Sequence, residues 1–238
     1  MESPLKKVIL LLLVVLLWAG QSFCASAEPY YRYIRSKNPK LSPAEIGMFI
    51  AANKKYSEKY DISMYWHICK TGHESKFKSS VGNPFSIGGR RYDNEPCYGP
   101  ERLQIESIRD MFPNLTEEQI KYRLLHNISF SVEASYRLDY ANKRHALKMG
   151  YTTPYQIRVV SLLLYNCGIG SWKRKHASMA KYLRAGGKLE DLTVLKWSKL
   201  GFILNEVYSM NYYVNILRES DRLDAVFAAV EAESAGAK

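Results

Sequence analysis

"DISMYWHICKTGHESKF", residues 61–77, decides how the chain is read. Ile62, Tyr65, Trp66 and Cys69 recur at helical spacing after Asp61 and form one apolar stripe that a helix would bury. Glu74 lies off that stripe, roughly a quarter-turn round the 3.6-residue period. A carboxyl there stands at the border of the core, where the wall of a cleft would be. A single Glu ending a helix is ordinarily a solvated charge, so the weight falls on what surrounds it in the rest of the chain.

Outward from this stretch the pattern stays helical. "LSPAEIGMFIAANKKY" (41–56) opens with Ser42 as N-cap, Pro43 at the first helical position and Glu45 closing a capping box. Ile46, Phe49, Ile50 and Asn53 then fall on one side. "NLTEEQIKYRLL" (114–125) repeats the device with Thr116 and Gln119. "NISFSVEASYRLDYANKRHAL" (127–147) continues helically. "TPYQIRVVSLLLYN" (153–166) is apolar nearly all round, which predicts a helix buried on several sides. It ends at "NCGIG", where Gly168 suits a left-handed cap. Further helices are expected near 174–185, 203–218 and 221–233. Residues 78–103, rich in Gly, Pro, Asn and Ser, read as a long irregular connection or a small hairpin. Connections of that length inside a domain are usually functional. No repeat or low-complexity linker divides the chain, so the fold class is mainly α and the domain is single.

The N-terminus is a separate object. Lys6 and Lys7 precede the apolar run "VILLLLVVLLWAG" (8–20), and "ASA" (25–27) offers a cleavage site before Glu28. Residues 1–27 therefore read as a signal peptide and 28–238 as the exported protein, placed in the periplasm or cell envelope. If the segment were kept, it would be the chain's contact with the membrane. The 238 residues carry a net charge of +11, and loss of Lys6, Lys7 and Glu2 with the leader lowers it by one. Such a chain is drawn to anionic polymers. Its basic residues are dispersed and no nucleic-acid motif accompanies them, so nucleic acid is not expected as a partner. Export also permits a disulfide, and Cys69 with Cys97 is the expected pair, leaving Cys167 as a small residue of the Gly-rich turn. Cys69, His67 and His73 are too few for a structural metal site. No metal and no cofactor are expected.

Four pieces in order carry a resemblance: Glu74, Ser75 and Phe77; Gly99, Gln104 and Ile105; Asn127 and Ile128; Tyr165, Asn166 and Gly168. Over about residues 55–217 the chain resembles the soluble lytic transglycosylase family, relatives of goose-type lysozyme. The resemblance implies a lysozyme-like α-helical domain with the 78–103 loop beside its cleft. It implies that peptidoglycan glycan strands are the substrate, cut between N-acetylmuramic acid and N-acetylglucosamine with a 1,6-anhydro product. Glu74 would act as acid and then base. Ser75, Ser86, Gln104, Tyr165, Asn166 and Tyr213 would line the sugar site. The chain also departs from the pattern. The spacing from Glu74 to Gln104 is longer, "GPERLQ" stands where Gly-Leu-Met-Gln is common, and Ser209 stands where a Glu is usual before the Tyr213–Val214 pair. Two other readings remain open. A goose-lysozyme-like hydrolase would need a second carboxylate, for which Asp93 and Glu95 are the loop candidates. A glycan-binding or scaffold protein, working with other cell-envelope proteins, would need no turnover.

Overall fold

The computed structural model describes residues 27–82, 86–87, 90–91, 96–172, 175–201, 213–226 and 229. Residues 1–26 of the predicted leader, the loop carboxylates Asp93 and Glu95, and the region of Ser209 lie outside them. The described chain is mainly helical, as its periodicities predict.

The helices are α1 (27–37), α2 (Pro43–Tyr60), α3 (Met64–Glu74), α4 (Ile105–Ile108), α5 (Glu117–His126), α6 (Ile128–Lys148), α7 (Pro154–Trp172), α8 (His176–Arg184), α9 (Val194–Lys199) and α10 (213–226). Both predicted capping boxes form. Ser42 and Glu45 close one on α2, and Thr116 and Gln119 close the other on α5. Ser63 caps α3 by accepting from the Trp66 N–H. Asn127 ends α5 and begins α6, where its side chain accepts from the Phe130 N–H. The long helix α6 packs against α2 on one side and α7 on another.

One large core joins α1, α2, α3, α6, α7, α8, α9 and α10, with Ile34, Phe49, Trp66, Tyr136, Leu163, Trp172 and Ile216 among its buried members. A smaller core under α4 and α5 contains Ile105, Ile108, Ile120, Leu124 and Phe130, with Tyr165 packed at its edge. Helix α1 has no counterpart among the sequence expectations. It is fastened at Glu219 of α10, which accepts from Tyr33 at 2.7 Å and pairs with Lys37 at 3.0 Å and His73 at 3.1 Å. Gly72 of α3 admits this packing, because a Cβ there would lie 2.7 Å from the Tyr33 hydroxyl.

The 78–103 connection holds two short antiparallel ribbons. Val81–Gly82 (β1) pairs with Cys97–Tyr98 (β4), and inside them Ser86–Ile87 (β2) pairs with Arg90–Arg91 (β3). Three expectations are corrected. Residues 213–226 form one unbroken helix, because Ile216, Leu217, Ser220 and Leu223 present one continuous buried face across the expected break. Gly168 does not cap a finished helix. Its φ of 66° and ψ of 160° place a kink inside α7, in a region open essentially to glycine alone. Finally, Cys69 and Cys97 are not bridged. Cys69 lies buried on the side of α3 where Tyr33, Glu219 and Asp224 act on it, whereas Cys97 acts on Tyr165 across the helix. The side chain of Cys167 lies outside the described residues.

Candidate active site

Helix α3 has a second buried face, and it is polar. His67, Lys70, Thr71 and Glu74 follow the i, i+3, i+4, i+7 rule along one line. The first three are fully buried and Glu74, at the last turn, is half-buried. Glu74 is thus the solvent end of a polar ladder that runs into the protein.

Each rung is paired with a distant element. Lys70 Nζ reaches Asp139 Oδ2 of α6 at 2.5 Å and Ser135 Oγ at 2.9 Å. It also stands 4.1 Å from the centre of the Tyr165 ring, a cation–π distance. Thr71 Oγ1 is 3.0 Å from the His67 carbonyl and 2.7 and 2.8 Å from the two Glu101 carboxyl oxygens. Burial pushes Glu101 up to about 8, with Lys70 and Thr71 pulling against it. The Thr71 O–H donates to the Glu101 carboxyl and also lies within reach of the His67 carbonyl. Burial and the Lys70 charge hold His67 well below its usual range, hence neutral. Its Nδ1 is 2.8 Å from Asn53 Oδ1, and Asn53 uses its amide hydrogens on the Phe49 carbonyl. Nδ1 therefore carries the proton, and the ring stacks on Tyr136 with centroids 3.9 Å apart. Lys70 with Asp139 as an ion pair, and neutral His67 and Glu101, leave the ladder without net charge. Such compensation is what makes buried ionisable groups tolerable.

The turn opposite Glu74 is locked onto this ladder. Tyr98 and Leu103 exchange backbone hydrogen bonds at 2.9 and 3.1 Å, closing residues 99–102 into a loop. Gly99 has a φ of 72°, and a Cβ there would fall 2.5 Å from the Leu124 carbonyl oxygen, so only glycine lets the loop lie against α5. Ser75 Oγ donates to the Pro100 carbonyl at 2.6 Å, and Tyr165 Oη donates to the Glu101 carbonyl at 2.5 Å. The backbone just after Glu74 is strained. Lys76 and Phe77 have φ of 56° and 58°, and Arg102 in the facing turn has 53°. Phe77 holds its conformation by burial, edge-on to Phe49 at 5.3 Å and Tyr33 at 6.4 Å. Left-handed non-glycine residues persist where the surroundings over-determine them, and they cluster at functional sites.

The structure therefore brings Glu74, Ser75, Tyr165 and the turn leading to Gln104 together. Gln104 is half-buried at the start of α4 and makes no side-chain cap bond. Three expectations of sugar contact change. Ser75 is buried and spends its hydroxyl on Pro100. The Tyr165 hydroxyl is not free but latches the 99–102 turn through the Glu101 carbonyl. Its phenol is pushed far up by burial and then by the charge of Glu74, which places the two groups within electrostatic reach. Tyr213 is a fully buried core residue at the start of α10. Ser86 pairs through its backbone with Arg91, and Asn166 is in α7; their side chains lie outside the described residues. The ladder residues Lys70, Glu101 and Asp139 were not anticipated. The signal available for them was the polar line 67, 70, 71, 74 on α3.

No group of three or more His, Cys, Asp or Glu side chains among the described residues is arranged to hold a metal ion. Comparison with protein-family models, with curated proteins and with solved structures gives no match to this chain.

Proposed function

We propose that the protein is a peptidoglycan lytic transglycosylase of lysozyme-like architecture, acting in the cell envelope with Glu74 as its single acid and base. The observation that carries this reading is the placement of Glu74: half-buried at the C-terminal end of α3, beside Tyr165, on a buried backing that holds the Lys70–Asp139 ion pair. Cleaving a glycosidic bond requires a proton at the leaving oxygen. The negative end of a helix disfavours the ionised carboxyl and favours the acid that must deliver that proton. The leaving oxygen takes the proton as its bond to C1 of the muramic residue breaks. The Glu74 carboxylate then takes a proton from the 6-hydroxyl, whose oxygen bonds to C1. Glu74 is returned protonated and no water is consumed.

Hydrolysis by the two-carboxylate route needs a second carboxylate facing the substrate with space for water. Glu101 and Asp139, the other carboxyls acting on Tyr165, are enclosed at 0% and 1% exposure and committed to the ladder. Neither serves as that second carboxylate; Asp93 and Glu95, the loop candidates, lie outside the described residues. The strained Lys76–Phe77 turn follows Glu74, and Ser75 and Tyr165 tie the 99–102 loop beside it; in this reading a glycan strand would lie along Glu74. The test is release of soluble muropeptides from purified sacculi. Glu74→Gln should reduce it by about 100-fold or more while leaving the unfolding midpoint unchanged. Release by Glu74→Gln at the wild-type rate would refute the assignment.

A further inference from the structure

At the opposite end of α3 from Glu74 lies a cavity of about 660 Å³. It begins at Ser63 and Trp66, so about 12 Å of helix separates it from Glu74 at 1.5 Å per residue. Asp139 of α6, Arg158 and Ser161 of α7, and Asp224 of α10 complete its polar wall, and Ile62, Tyr155 and Ile157 supply apolar surface.

Three polar atoms of this wall are buried without a hydrogen-bond partner among the described residues: Trp66 Nε1, Asp139 Oδ1 and Arg158 Nε. Trp66 and Asp139 are only 3% and 1% exposed. Buried polar atoms are nearly always paired, and each orphan costs on the order of 1–3 kcal/mol. Two donors and one acceptor, each on a residue that lines one partly apolar cavity, form the pattern of a binding site. The other charges of the wall are already matched. Lys143 pairs with Asp61 at 2.7 Å, Arg158 reaches Asp221 through its terminal nitrogen at 2.9 Å, and the second oxygen of Asp139 holds Lys70. Asp224 stands beside them as a further half-buried acceptor.

We propose that this cavity is a second ligand site that takes an α-amino acid, recognised by both its ammonium and its carboxylate. The ammonium donates to Asp139 Oδ1 and Asp224. The carboxylate accepts from Trp66 Nε1–H and Arg158 Nε–H. The side chain packs on Ile157, Tyr155 and the Trp66 ring. Recognition at both ends explains why donors and an acceptor are orphaned together, which neither a simple cation nor an aliphatic ligand would require. The site shares Asp139 with the ladder behind Glu74 but does not include Glu74 itself.

The test is titration of the ¹⁵N-labelled protein with racemic phenylalanine while following the indole N–H resonance that disappears in Trp66→Phe. A saturable shift with Kd near or below about 1 mM is expected. Phenylalaninamide lacks the carboxylate and 3-phenylpropanoate lacks the ammonium, and each should bind at least about tenfold more weakly. Arg158→Met and Asp224→Asn, which leave the core in place, should each weaken phenylalanine by a similar factor. No saturable shift would show that the cavity holds only water. Equal binding of all three compounds, or full affinity in both variants, would equally overturn the proposal.

Discussion

Two glutamates act on Tyr165 and differ in their access to solvent. Glu74 is half-buried at a helix end, whereas Glu101 is enclosed and keeps its proton up to about 8. Their spacing in sequence says nothing of this. Glu101 meets Thr71 across 30 residues, and Asp139 meets Lys70 across 69. The capping residues Ser42 and Thr116 were legible because a cap is a local contract between neighbours. The half-buried position of Glu74 was legible because it departs from a local stripe. The ladder behind it was not, since burial of a Lys or Glu depends on a partner that only the fold supplies. Tyr165 carries a prediction of the same kind. Its hydroxyl satisfies a buried carbonyl, so Tyr165→Phe should destabilise the protein by about 1–3 kcal/mol in denaturant unfolding. Muropeptide release should fall far less than in Glu74→Gln. Equal losses of activity in the two variants would return Tyr165 to the chemistry.

At the scale of elements, the turn that follows α3 stores strain where Glu74 is held. Lys76 is exposed with a φ of 56°, a conformation costing a non-glycine residue about 1–2 kcal/mol. Lys76→Gly should therefore raise stability by up to about 1 kcal/mol, the opposite sign to glycine in an ordinary helix. A clear loss in thermal or denaturant unfolding would contradict the strain. Gly99 tests the facing loop. Its φ is 72°, and a side chain there would bring its Cβ to 2.5 Å from the Leu124 carbonyl oxygen. Gly99→Ala should cost about 2 kcal/mol or more and displace the loop that carries Glu101. The 78–103 connection was readable as a functional-length loop from its composition. Its two nested ribbons were not, because pairs of two residues have no periodicity to detect. Helix α1 escaped for a related reason. Its lock is Tyr33 and Lys37 on Glu219, contacts at sequence separations of 186 and 182.

Across the whole molecule, the ladder couples stability to pH with a definite sign. Folding raises Glu101 from 4.5 to about 8, so between those values the folded state holds a proton that the unfolded state has lost. That contribution stabilises fully below pH 4.5 and disappears as pH rises through about 8. Folding lowers His67 from 6.5, so below pH 6.5 the unfolded state holds a proton that the folded state lacks, and this contribution falls away as pH falls. The two slopes oppose one another between 4.5 and 6.5, and of these two groups only Glu101 acts from 6.5 to 8. Wild type minus Glu101→Gln should therefore show a stability difference that declines with pH up to about 8, by an amount on the order of a few kcal/mol. A difference independent of pH would mean that Glu101 is ionised when buried.

The decisive experiment for Glu74 is mass spectrometry of muropeptides released from purified sacculi in heavy-oxygen water. If Glu74 alone closes the muramic 6-hydroxyl onto C1, the new ends are 1,6-anhydro sugars without solvent oxygen, and Glu74→Gln abolishes them. Reducing ends carrying the heavy oxygen would contradict the one-carboxyl mechanism and make the enzyme a hydrolase.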